Sequence, residues 1–164
     1  MDALAPEPAQ AYLQLRSRIL SFTPVDMGLS PSVEAPHVWG VVMETGYDVG
    51  SATLISLADG TTSLYYSTGG GLLGSGEYQP VAVAAKALVA QAEIHLPQFN
   101  STAEFPLPEV GLVRFTILTY TSNFSAEAPE KVLSAGEHRL SPLYACAQVT
   151  LEQLRLLAAK KHKA

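Results

Sequence analysis

Apolar residues recur along this chain with two periods, close to two in the middle and between three and four in three flanking stretches. The first helical stretch is predicted over residues 8–22, with Pro8 suited to a first turn and Tyr12, Leu15, Ile19 and Phe22 on one stripe. Thr23–Pro36 carries Pro24, Pro31 and Pro36 and reads as an ordered connector, because proline fixes φ and removes a donor. Residues 38–67 then read as a three-strand antiparallel meander: Val38–Thr45, Ala52–Ala58 and Thr61–Ser67. Asp59-Gly60 between the last two predicts a two-residue type I′ turn, which needs positive φ at both residues. Strict alternation in the first strand puts Trp39, Val41 and Met43 on one face and Val38, Gly40, Val42 and Glu44 on the other.

A second helix is predicted over residues 80–96, with Val81, Ala84, Ala85, Leu88 and Ala92 on its inner stripe and Pro97 ending it. Phe99–Glu109 reads as a loop and Val110–Thr121 as a long strand. Val113, Phe115 and Ile117 should face the helices, with Arg114, Thr116 and Leu118 opposite. A short edge strand is expected near Ser125–Ala128. The last helix spans 141–160, with Ser141 as N-cap and a basic end that suits the helix dipole. The expected fold is a single α+β domain over residues 1–164. It holds an antiparallel sheet of about five strands, including the meander, packed by two to three helices.

Composition adds three points. Hydrophobic residues make up 48% of the chain and charged residues only 15%. The charged share lies below the usual ~25%, which favours a fold that hides more surface against a second copy or a protein partner. A net charge of −5 argues against nucleic acid. Cys146 is the single cysteine, excluding an internal disulfide and a multi-cysteine zinc site. With no apolar run long enough to span a bilayer and no signal-like opening, the expectation is a soluble cytoplasmic protein without membrane contact.

The order helix, three strands, helix, strands, helix resembles the profilin-like and roadblock or longin-like α+β scaffolds. The run from Trp39 to Gly76 also looks like bacterial proteins without an assigned function. Neither resemblance implies a mechanism.

Chemistry is sparse. Gly69, Gly70, Gly71 and Gly74 match G-x-G-x-x-G, between a strand and a helix, and with Ser75 and Gly76 form a candidate site for an anion or nucleotide. The preceding strand is a hairpin arm, however, so the parallel unit that a dinucleotide site needs is missing, and a connector is the plainer reading. His37, His95, His138 and His162 have no metal-ligand spacing, and no nucleophile elbow occurs. No catalytic residue, metal or cofactor is assigned. Adjacent Tyr65 and Tyr66 must point to opposite sheet faces. If Tyr66 shares an outer face with Leu64, Arg114, Tyr120 and Glu44, that face is an aromatic, mixed-charge interaction surface. The sequence therefore favours a non-enzymatic interaction or self-associating scaffold protein. The alternative is a small-ligand binder or enzyme that uses the glycine-rich segment.

Overall fold

A computed structural model of the chain describes residues 8–74 and 77–163. The fold is α+β, as the periodicity indicates, but the antiparallel sheet has seven strands rather than five and is accompanied by four helices among the described residues. The helices are α1 (Gln10–Ser21), α2 (Gln79–His95), α3 (Glu130–Ser134) and α4 (Ser141–Lys163). The strands are β1 (Val38–Tyr47), β2 (Gly50–Leu57), β3 (Thr62–Tyr66), β4 (Gly71–Gly74), β5 (Asn100–Thr102), β6 (Leu112–Thr119) and β7 (Asn123–Pro129). Their order across the sheet is β4-β3-β2-β1-β6-β7-β5.

Both extra strands lie where apolar alternation is absent. The glycine-rich exit after β3 is not a bare connector: Gly71–Gly74 pairs with β3 and extends the meander to four strands. The loop expected over Phe99–Glu109 contains β5, whose polar Asn100-Ser101-Thr102 pairs with Asn123-Phe124-Ser125. That pairing makes β7 an inner strand rather than the expected edge.

The sheet is covered on both faces. On one, α2 and α4 enclose the main core, built on Val41, Met43, Leu54, Leu64, Phe115 and Ile117 with Leu88, Leu143 and Leu154 from the helices. On the other, α1 and the connector bury a smaller core of Ile19, Trp39, Val42, Ile55, Leu57 and Leu118, with Met27 and Leu29 packed against it. The alternation expected for β1 holds from Gly40 onward, but the register shifts between Val38 and Gly40. A bulge adds one residue and reverses the parity before it. Val38 therefore joins the main core and Trp39 the smaller one, where its indole Nε1 donates to Thr119 O at 3.1 Å. Glu93 of α2 fixes the entry to β1, accepting from the His37 and Val38 backbone N–H groups at 2.5 and 2.6 Å. Ser141 is the first helical residue of α4 rather than its cap, and its Oγ accepts from the His138 N–H.

The β2–β3 hairpin also departs from expectation. Ser56 pairs with Thr62, and Leu57 N–H donates to Thr61 O, which leaves a three-residue loop, Ala58-Asp59-Gly60. Only Gly60 has positive φ, at 96°, so the turn is not type I′ but the three-residue form with glycine in third place. The β3–β4 hairpin repeats this plan: Tyr66 N–H donates to Gly70 O and Gly69 N–H to Tyr66 O. At Gly60 there is a second constraint, because a Cβ there would lie 2.7 Å from Ala82 Cβ in the first turns of α2. Gly60→Ala is expected to cost about 1–3 kcal/mol by adding left-handed strain to a clash. Chemical denaturation measures this, and an unchanged midpoint would remove the close hairpin–helix contact.

Candidate functional site

The smaller core contains the most unusual side chain in the molecule. Glu44 is fully buried on β1, on the face beneath α1. Its carboxylate accepts from Arg16 Nε at 2.6 Å, from Arg16 Nη2 at 2.9 Å and from Thr53 Oγ1 at 2.7 Å. Since Thr53 has spent its one hydrogen on Glu44, Tyr12 donates to Thr53 at 2.6 Å, and Ser51 in turn donates to Tyr12 at 3.1 Å. The hydroxyls thus form a directed chain, Ser51 to Tyr12 to Thr53 to Glu44. Arg16 Nη2 also donates to Phe105 O at 2.5 Å. Beside Glu44 in register stands Arg114, which is paired with Glu127 and donates to Pro106 O at 2.5 Å. Two arginines therefore hold the proline-rich loop 103–109 against the sheet.

This arrangement redistributes the residues proposed as an aromatic, mixed-charge surface. Glu44, Arg114 and Tyr120 lie toward α1, whereas Tyr66 and Leu64 stand on the α2/α4 face, because Thr53 across from Glu44 pairs with Tyr65 and not Tyr66. Glu44 is inaccessible and Arg114 is half-buried. Tyr120 is half-buried against the smaller core, its hydroxyl without a hydrogen-bond partner among the described residues.

The glycine run has a different setting from that of a phosphate loop. Gly69 ends the three-residue turn, Gly70 follows it with positive φ opposite Tyr66, Gly71 and Gly74 are strand residues, and α2 starts only at Gln79. Ser75 and Gly76 lie outside the described residues. The run does border a recess. α1 crosses β1 and β2 and leaves β3 and β4 uncovered on its side, so that a cavity of about 220 Å³ opens between Tyr12 and Leu15 of α1, Tyr65, and Gly69–Gly71 with Leu73. A second cavity of about 230 Å³, walled by Ile19, Phe22, Ile55 and Leu57, shares Leu15 and Tyr65 with it. The two form an apolar groove along α1. Leu73 stands on the lip with 63% of its surface exposed, and β4 is the last strand of the sheet. Periodicity could not reveal the groove, which depends on where α1 lies across the sheet.

The remaining chemistry is muted. Among the described residues, no group of histidine, cysteine or acidic side chains could hold a metal ion, and no helix is long and apolar enough to cross a membrane. Cys146 is half-buried, and burial pushes its thiol up, which lowers its reactivity. No family model matches the chain, and neither a curated protein nor a solved structure matches it.

Breaking the buried pair from one side, by Arg16→Met or Glu44→Leu, should in each case cost about 3–5 kcal/mol, because the other charge is left uncompensated. The paired replacement Arg16→Met with Glu44→Leu should recover most of that loss. Additive losses in this cycle would contradict the coupling. Burial also raises the Tyr12 and Tyr144 hydroxyls above their ordinary value of 10.0, for Tyr144 with the Glu130 carboxylate adding to the effect. Unfolded tyrosines then ionise before folded ones, so stability should be fully present below about pH 10 and fall as pH rises above it. Urea titrations across that range, with Tyr12→Phe as a reference lacking one such group, check the sign.

Proposed function

We propose that this chain is a non-enzymatic interaction protein that takes up an extended, apolar segment of a protein partner, or of a second copy of itself, beside β4. The observation that carries this reading is the coincidence of an apolar groove with a strand edge that pairs with no further strand among the described residues. A segment added to β4 would gain main-chain hydrogen bonds from that edge. Its alternate side chains would project past Leu73 toward Tyr65, Leu15 and Tyr12. Tyrosine at the centre of such a groove provides large apolar contact at little entropic cost. The short length of β4 and its flanking glycines are consistent with an edge kept from indiscriminate pairing. The low charge fraction of the chain supports the same reading.

A second reading keeps the groove and changes the occupant to a small apolar molecule, which the separate enclosures of about 220 and 230 Å³ favour. An anion or nucleotide at the glycine run has less support, since the recess beside it is walled by tyrosine and leucine and the helix start lies five residues beyond Gly74.

Glycine substitutions are poor tests of either reading. A Cβ at Gly71 would lie 2.2 Å from Leu64 O, so Gly71→Ala perturbs the strand itself. Leu73→Glu and Leu15→Glu alter the lip and wall instead. Selection from a displayed peptide library should enrich extended sequences with alternating apolar residues. Their binding should be lost in both variants while circular dichroism stays unchanged. Light scattering would report the second-copy case as a dimer that Leu73→Glu dissociates. A strictly monomeric protein that enriches no peptide, or variants that bind as well as the parent, would remove the interaction reading.

A further inference from the structure

The opposite face of the meander holds a separate cavity of about 210 Å³, between α4 and the ends of β1, β2 and β3. Its floor is Met43, Leu54 and Leu64 of the sheet, closed on the helix side by Leu151. Two features of the sequence create it. Ala52 places a small side chain where its strand neighbour Leu54 fills the core. On α4, the inner positions Ala147 and Leu151 are followed one turn later by Arg155, where a leucine would have closed the gap.

Three polar groups meet at the mouth: Tyr47, Tyr66 and Arg155, with Thr45 beside Tyr47. Tyr66 and Arg155 make no hydrogen bond or ion pair among the described residues, so their donors remain available. The carboxylate on this side, Glu130, accepts from the Tyr144 hydroxyl at 3.0 Å, so it is not paired with Arg155, although its charge and that of Arg155 are both felt at Tyr47. An apolar floor under a small set of converging donors, one of them a guanidinium, is the pattern of a site for an amphipathic anion. The volume sets the size of the apolar part, since a dry cavity of about 150 Å³ accommodates one benzene ring.

We propose that this cavity binds a small monocarboxylate with an apolar body of about one aromatic ring or a short alkyl chain, the body on Met43, Leu54 and Leu64 and the carboxylate against Arg155 and the Tyr47 and Tyr66 hydroxyls. The site lies across the sheet from the α1 groove, and Tyr66 is the residue that borders both.

The test is a titration of the whole chain with benzoate and hexanoate, against benzyl alcohol and hexanol as neutral counterparts, followed by calorimetry and amide chemical-shift mapping. Both acids should bind saturably, with shifts at β1–β3 and α4. Arg155→Met, which keeps the stem and removes the charge, should weaken the acids by about tenfold, the loss of one charge-assisted hydrogen bond, and abolish the preference over the alcohols. Ala52→Leu should fill the cavity and remove binding, whereas Leu73→Glu, on the other face, should leave it intact. Acids that bind no better than the alcohols, an Arg155→Met chain with parental affinity, shifts confined to the α1 groove, or no binding of any probe would each overturn the proposal.

Discussion

A carboxylate with no contact to water dictates much of this architecture. Glu44 sits on β1, the central strand of the sheet, flanked by β2 and β6, and an isolated charge there would be prohibitively costly. Arg16 removes that cost only if α1 lies across β1 and β2 at one height and one rotation, so that its Nε and Nη2 both reach the carboxylate. The same rotation carries Tyr12 to Thr53 and Ile19 to Trp39 and Val42. Apolar packing alone would tolerate α1 sliding along the sheet. The ion pair sets its register, in the way that buried polar groups fix alignment in helical assemblies. Loop 103–109 follows from it too, because Arg16 and Arg114 each spend a remaining donor on a carbonyl of that segment.

The position of α1 also determines what stays uncovered. A helix anchored over β1 and β2 cannot also cover β3 and β4, so Tyr65 and Leu73 form one side of an open groove instead of a closed core. On the far face, α4 contacts the edge strand through Leu154, which meets Gly74, but presents Arg155 to the ends of the inner strands. The half of the sheet made by β1–β4 is therefore under-covered at one place on each face, while β6 is buried between the two cores. Both candidate sites arise where the helices, α1 on one face and α2 with α4 on the other, do not span the full four-strand meander.

Elements with strong periodicity were legible in the sequence: α1, α2, α4, the three long meander strands, and the inward set Val113, Phe115 and Ile117 on β6. What escaped were β4 and β5, four and three residues long, whose pairing rests on backbone hydrogen bonds and not on side-chain alternation. The Trp39 face was misplaced because a bulge leaves no mark in the residue pattern. Tyr66 was put on the wrong side of the sheet relative to Glu44 for a related reason, since facing across strands depends on a hairpin register that a two-residue turn and a three-residue turn set differently. Glu44 looked like a surface residue at a strand end. Only tertiary placement of Arg16, remote in sequence, reveals it as a buried pair, and no single-strand pattern carries that information.

The strand order divides the sheet into two locally connected halves, β1 to β4 and β6 to β7, stitched along one seam where Val41 meets Ile117. Each hairpin closes over a few residues, whereas the seam brings together strands with the meander, α2 and β5 between them. Closing so long a loop costs entropy that grows slowly, about 0.6 kcal/mol for each doubling of length, but the cost falls due before the seam's own contacts form. Of the strand pairings in the sheet, β1–β6 joins the residues farthest apart along the chain and so carries the largest closure cost. The central apolar residues of that junction, Val41, Met43, Phe115 and Ile117, hold closed the longest loop between paired strands, a role that their burial alone would not disclose.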